Sequence, residues 1–193
     1  VYQYFHYYED AIKFYKRPTE RFEQNIDRNF RLAIAYRSIS KYSESESLFR
    51  SLLKHPPPNL KQNDIKLQLA YTLQLEEMNS EAGKLYEELL LQNPRCHKLI
   101  QQYVWFLSLQ DDSKYLSRAE ELIGDSTDSI LRFASARISM KLRAYNEAYQ
   151  RYRECTSTWS DSPLFWCGLG VLYLRNEQLQ DSIQLHKSFL PFF

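Results

Sequence analysis

The sequence predicts an all-α fold, a right-handed α-solenoid of stacked antiparallel helical hairpins, on three observations. Glycine is scarce, with 4 in 193 residues, while Leu, Glu, Lys, Gln and Ala abound, a balance that favours helix over sheet. Apolar residues recur at helical spacing even in the least regular stretch, where Leu131, Ala134, Ile138 and Leu142 fall at i, i+3, i+7 and i+11. A small residue within such a pattern returns at Ser45, Ala82, Ala119, Ala148 and Ser182, in steps of 37, 37, 29 and 34. Those steps centre on a period of about 34, that of a two-helix repeat.

The units can be taken in chain order. Ala11 lies 34 residues before Ser45 and marks the second helix of a partial leading unit, 1–22. In the next, 26–58, Leu32-Ala33 and Tyr36 sit on the first helix. Ser45, Phe49 and Leu52 sit on the second, and Pro56-Pro57-Pro58 closes it. Unit 63–95 repeats the scheme with Leu69-Ala70 and Leu73, then Ala82, Tyr86 and Leu89, and ends at Pro94. Unit 97–125 departs: Tyr103-Val104 stands where a large-small pair belongs, and a loop over 110–117 is expected, about three residues too long. In unit 127–160 the register stays open, since either Ala134 or Ala136 can take the small position. Asp161-Ser162-Pro163 opens the last unit, 163–193, with proline in the first helical turn. There Trp166, Leu169, Gly170 and Tyr173 spell W-x2-L-G-x2-Y, the first-helix signature of a tetratricopeptide repeat (TPR). Ser182 follows Gly170 by twelve residues, as Ala82 follows Ala70 and Ser45 follows Ala33. All units are expected to form one superhelical domain, 1–193. The opening at Val1 and the apolar stop at Phe189–Phe193 are those expected of a piece of a longer protein.

Packing physics explains the pattern. Two helices approach to about 8–10 Å only where contact side chains are small. Gly170 with Ser182, and Ala70 with Ala82, supply such crossings, while Trp166, Tyr173, Tyr86 and Leu89 fill the space toward the next hairpin. A lone hairpin cannot bury its apolar face, so the units must stack.

Composition excludes several functions. Lys plus Arg is 25 and Asp plus Glu is 24, a net charge of +1 that exerts no long-range pull on nucleic acid or acidic lipid. Cys96, Cys155 and Cys167 are too far apart for a disulfide framework and suit a reducing compartment. No run of eighteen apolar residues exists to span a membrane, and no signal segment opens the chain. Cys96-His97 lacks a second pair at metal-ligand spacing, so no metal is expected. His6, His55 and His186 have no carboxylate or nucleophile at motif spacing. Gly168-x-Gly170 lies within a helix with no strand before it and is not a phosphate loop. Glu76-Glu77, Glu87-Glu88 and Glu120-Glu121 read as solvated helix faces. Arg132, Arg137, Lys141 and Arg143 form a loose basic cluster, a weak signal for an acidic partner or nucleic acid. No enzyme activity and no cofactor are expected.

Hairpin geometry also predicts a binding wall on the first helices, at the second, fifth, ninth, twelfth and thirteenth positions with Trp166 as the fourth. These positions give Phe30, Ile34, Leu67, Tyr71, Gln101, Trp105, Cys167, Val171 and Arg175. Such a strip is apolar with aromatic anchors and suits an amphipathic helix or an extended peptide. Chaperone-binding TPR domains hold a C-terminal carboxylate with Lys, Asn and Arg. Here the fifth positions are Phe30, Leu67, Gln101 and Cys167, and no such clamp is visible.

The string Phe165-Trp166-Cys167-x-Leu169-Gly170-Val171-Leu172-Tyr173 resembles the late repeats of the fungal general transcriptional corepressor, the Cyc/Ssn-type TPR protein that works with a Tup-type WD40 partner. Phe30-Arg31-Leu32-Ala33, Pro56-Pro57-Pro58 followed by Asp64-Ile65, and Lys98-Leu99-Ile100-Gln101-Gln102 are similar to its segments in the same order, across about 22–189. A related string occurs in the TPR region of the histone lysine-27 demethylase. The sequence departs from the corepressor at Ala33, Ala70 and Val104, where the family carries glycine, and the family's glutamine-rich tail is absent. The resemblance implies a nuclear scaffold bridging DNA-binding repressors to the WD40 corepressor and to histone-modifying enzymes, with no direct nucleic-acid or membrane binding. These later repeats would select repressors. The alternatives are the non-catalytic TPR arm of the demethylase and an assembly adaptor outside transcription.

Overall fold

The computed structural model describes residues 7–16 and 22–176, and among them ten helices. These are α1 (Tyr8–Tyr15), α2 (Phe22–Ser38), α3 (Tyr42–Lys54), α4 (Gln62–Leu75), α5 (Asn79–Gln92), α6 (His97–Leu109), α7 (Ser113–Ile123), α8 (Ser129–Lys141), α9 (Tyr145–Thr158) and α10 (Pro163–Arg175). The fold is an all-α solenoid of paired helices. It divides into two compact units, Val1–Leu99 and Ile100–Phe193.

Four hairpins, α2–α3, α4–α5, α6–α7 and α8–α9, each turn through three residues: 39–41, 76–78, 110–112 and 142–144. Three of these turns are one motif. Ser40, Glu77 and Arg143 sit at φ of 60°, 63° and 61°, the left-handed conformation that ends helices. Lys41, Met78 and Ala144 then donate their N–H to the carbonyls of Tyr36, Leu73 and Ser139, each at 2.9 Å. Those bonds satisfy carbonyls the helix end leaves open. The α6–α7 turn is built otherwise: Asp112 caps α7, its carboxylate accepting the Lys114 N–H at 2.9 Å.

This corrects the long loop expected at 110–117. Residues 113–117 are the first turns of α7, and the cap explains why a polar stretch is helical. The register shifts with it. Ser45, Ala82 and Ala148 are the fourth residues of α3, α5 and α9, and in α7 that place belongs to Leu116. Ala119 lies a turn later. Twelve residues before Leu116 stands Val104, so the third hairpin carries large residues at both small positions, both buried. The same interval assigns Ala136 to the small position of α8. Ala33, Ala70, Ala136, Ser45, Ala82 and Ala148 are all fully buried. Ala11, the fourth residue of α1, is buried too. Ser182, His6, His186 and Phe189–Phe193 lie outside the described residues.

Each unit has its own core. In the first, Phe49, Ile65, Leu69, Leu73 and Tyr86 are closed to solvent. In the second, Phe133, Tyr152, Phe165 and Leu169 lead a cluster that includes Ala136, Ala148 and Cys155. No described helix is long and apolar enough to cross a membrane.

Candidate functional site: the first-helix walls

The predicted wall residues fall in two units and are taken separately. In the first, Phe30 meets Phe49 edge-on, ring centroids 5.7 Å apart, and is half-buried. Ile34 is half-buried too, and Leu67 is only 6% exposed. Leu67 forms the floor of a cleft of about 510 Å³ with Leu89 and Leu99, rimmed by Lys61, Asn93 and Cys96. Tyr71 lies beneath the guanidinium of Arg37, 4.6 Å from the ring centroid. Arg37 donates to the Gln68 carbonyl at 3.2 Å and to Gln68 Oε1 at 2.8 Å. Burial lowers the pKa of this guanidinium, opposed by the nearby Tyr71 and Tyr86. Its stack on Tyr71 and its two acceptors together replace lost water. The arrangement makes this stretch of wall polar and self-satisfied.

The second unit differs. Gln101 is committed to structure: its Nε2 donates to Asp128 Oδ2 at 3.0 Å. The other oxygen of Asp128 caps α8 by accepting from Leu131 N–H, also at 3.0 Å. Trp105 stacks on Phe133, centroids 6.0 Å apart and 15° between planes. Its other neighbour is Arg137, with the guanidinium 4.6 Å from the indole centroid. On α10, Cys167, Val171 and Arg175 are exposed, and Leu174 beside them is 48% exposed.

Phe133 and Arg137 hold the fifth and ninth positions of the fourth hairpin. The open register hid them, although the twelve-residue interval back from Ala148 selects Ala136 and so both. Arg37 and Gln68 carried no signal at wall positions chosen for apolar anchors. The loose basic cluster is taken apart by the fold. The charge of Arg132 bears on Cys155 of α9. Lys141 donates to the carbonyls of Leu109 and Gln110 and to Asp111, at 2.6, 2.8 and 2.9 Å, closing the end of α6. Arg143 is a turn residue. Of the acidic pairs, Glu120 is no free surface group: it accepts from Ser135 and from Arg151, the latter at 2.7 Å. Glu76 likewise accepts from Ser43 at 2.8 Å.

No protein-family model matches the sequence, and no curated protein matches it. Among solved structures, the chain is similar to a tetratricopeptide repeat protein from Parabacteroides merdae. The TM-score is 0.74 at 15% identity, over 95% of this chain and 79% of that one. The fold is that of tetratricopeptide-repeat proteins. A thermophilic TPR protein from Thermus thermophilus matches with a TM-score of 0.68 at 19% identity, over 88% of this chain and 90% of that one. At such identities the likeness is one of fold. Stacked repeats of this kind present an extended surface along their first helices.

Proposed function

We propose that the chain is part of a nuclear transcriptional corepressor scaffold, one that bridges DNA-binding repressors to a WD40 corepressor and to chromatin-modifying machinery. The observation that carries this reading is the string Phe165–Tyr173, which resembles the corepressor's late repeats. Its residues divide cleanly by role. Phe165, Leu169 and Leu172 enter the core, and Trp166 donates its indole N–H to the Ser160 carbonyl at 2.8 Å. Cys167 and Val171 remain exposed for contact. In this reading the walls select repressors, and a peptide from each lies along the first helices. A related string in the histone lysine-27 demethylase supports a second reading, a non-catalytic arm of that enzyme. The full-length gene separates them, because the demethylase continues into a metal-dependent oxygenase domain.

The test is affinity capture of the tagged full-length protein from its own cells, with mass spectrometry. Recovery of a WD40 corepressor together with DNA-binding repressors is expected, with Val171→Glu losing a subset of the repressors. Recovery of cytoplasmic assemblies without transcription factors overturns the reading in favour of an adaptor outside transcription.

A further inference from the structure

Among the described residues, Arg132 and Arg137 are the half-buried arginines of the second unit without an ion pair, and of these Arg137 lies over a ring. Arg151 is paired with Glu120 and Glu147, and Arg118 with Glu121. Arg137 is half-buried and, among the described residues, has neither a carboxylate nor a hydrogen-bond acceptor; it has only the Trp105 face, at 4.6 Å. A guanidinium partly removed from water and left without a counter-charge is unfavourable unless something supplies one. With the ring as its neighbour and no hydrogen bond among the described residues, its N–H groups can take a carboxylate in a two-bond fork.

A second cation lies close by. The charges of Arg137 and Arg175 both bear on the hydroxyl of Tyr152. Asp111, whose carboxyl also feels Arg175, is already bound by Lys141. Cys167, Val171, Leu174 and Arg175 share one face of α10, at i, i+4, i+7 and i+8. Val171 and Leu174 are 40% and 48% exposed.

We infer that the α6–α8–α10 wall of the second unit takes an acidic peptide segment of a partner protein, with an Asp or Glu side chain on Arg137 over Trp105. A large apolar side chain of the same segment then meets Val171 and Leu174. This deepens the protein-binding reading and rests on it. It does not need the corepressor identity. Two guanidiniums amid apolar residues suit a peptide carboxylate better than a nucleic-acid backbone, which is held by many phosphate contacts.

The experiment is panning of the purified chain against a phage-displayed library of random short peptides. Enriched sequences are expected to carry Asp or Glu within one helical turn of a large apolar residue. The best of them, labelled for fluorescence anisotropy, should lose about tenfold or more in affinity for Arg137→Gln, consistent with a lost charge-assisted bond. Replacing its acidic residue by Gln or Asn should cost the same. Arg118→Gln, with a similar change of charge elsewhere, should leave binding unchanged, and circular dichroism checks that both variants are folded. Enrichment of non-acidic peptides, or binding indifferent to Arg137, overturns this inference and leaves protein binding standing. Displacement of the peptide by a single-stranded oligonucleotide in an Arg137-dependent way overturns it in favour of nucleic acid. No enrichment at all overturns both.

Discussion

The Tyr86 hydroxyl donates to Gln74 Oε1 across 3.1 Å, and the equivalent tyrosine two hairpins on, Tyr152, has no acceptor among the described residues. Both rings are fully buried, and burial raises both phenol pKa values. The difference lies in one residue. Gln74 stands four places after Ala70, and four places after Ala136 stands Met140. A buried hydroxyl with no partner carries its desolvation uncompensated. Tyr86→Phe should therefore cost about 1 kcal/mol in urea unfolding, whereas Tyr152→Phe should be neutral or stabilising. Met140→Gln should restore a cost to losing the Tyr152 hydroxyl. Equal losses from the two Phe variants would refute this account.

The three left-handed turns predict a gain. Ser40, Glu77 and Arg143 hold a conformation that disfavours a Cβ. Gly at each should stabilise by about 0.5 kcal/mol or more, after the unfolded chain's greater freedom is counted against it. Gly at Asp111, the middle of the α6–α7 turn and not among the positive-φ residues, should bring no gain. Thermal melts of the four single variants read this directly. A gain at Asp111 equal to that at Glu77 counts against the turn assignment.

The same turns show what was legible in the sequence. The hairpin architecture was, because apolar spacing and the recurring small residue reflect the packing that builds it. The turn type was not, because Ser, Glu and Arg carry none of glycine's signal for a left-handed residue. At the third hairpin the reading slipped a turn, from Leu116 to Ala119, because the sequence there breaks the size rule on both helices. The wall was read in part. Its apolar members followed from position, but Leu67 is closed in and Gln101 supports a helix cap. Arg37 escaped notice, and Arg137 was read only as one of a basic cluster, because stacking on a ring leaves no spacing pattern.

The cysteines make a pH-dependent prediction. Cys155 is fully buried, and burial pushes its thiol up to about 11 from 9.0, with Glu154 adding to the rise and Arg132 opposing it. Between those values the unfolded chain releases a proton that the folded chain keeps, so stability falls as pH rises through that window. Stability should drop less steeply from pH about 9 to 10 in Cys155→Ala than in the parent chain. Cys96 and Cys167 are exposed. At neutral pH, iodoacetamide should label those two in the folded protein and reach Cys155 only in denaturant. Mass spectrometry showing prompt labelling of Cys155 in the folded chain would contradict its burial.

Gly168 sets the backbone of α10 against two rings of the aromatic core. A Cβ there would lie 2.6 Å from Phe133 Cε2 and 2.6 Å from Tyr152 Cε1, inside van der Waals contact. The rings have little room to retreat. Phe133 packs edge-on against Tyr152 with centroids 5.5 Å apart, and lies 5.5 Å from Phe165 and 6.0 Å from Trp105. Alanine favours the helix over glycine by up to about 1 kcal/mol, while overpacking costs about 1–3 kcal/mol. Packing should win, and Gly168→Ala should destabilise by about 1–2 kcal/mol. The exposed neighbour Cys167→Ala, on the same helix, should not. If the clash is the cause, Phe133→Leu makes room for the methyl group. The double variant should then be more stable than the sum of the two single losses predicts, by about 0.5 kcal/mol or more. Strict additivity would place the cost of Gly168→Ala elsewhere than in its contact with that ring.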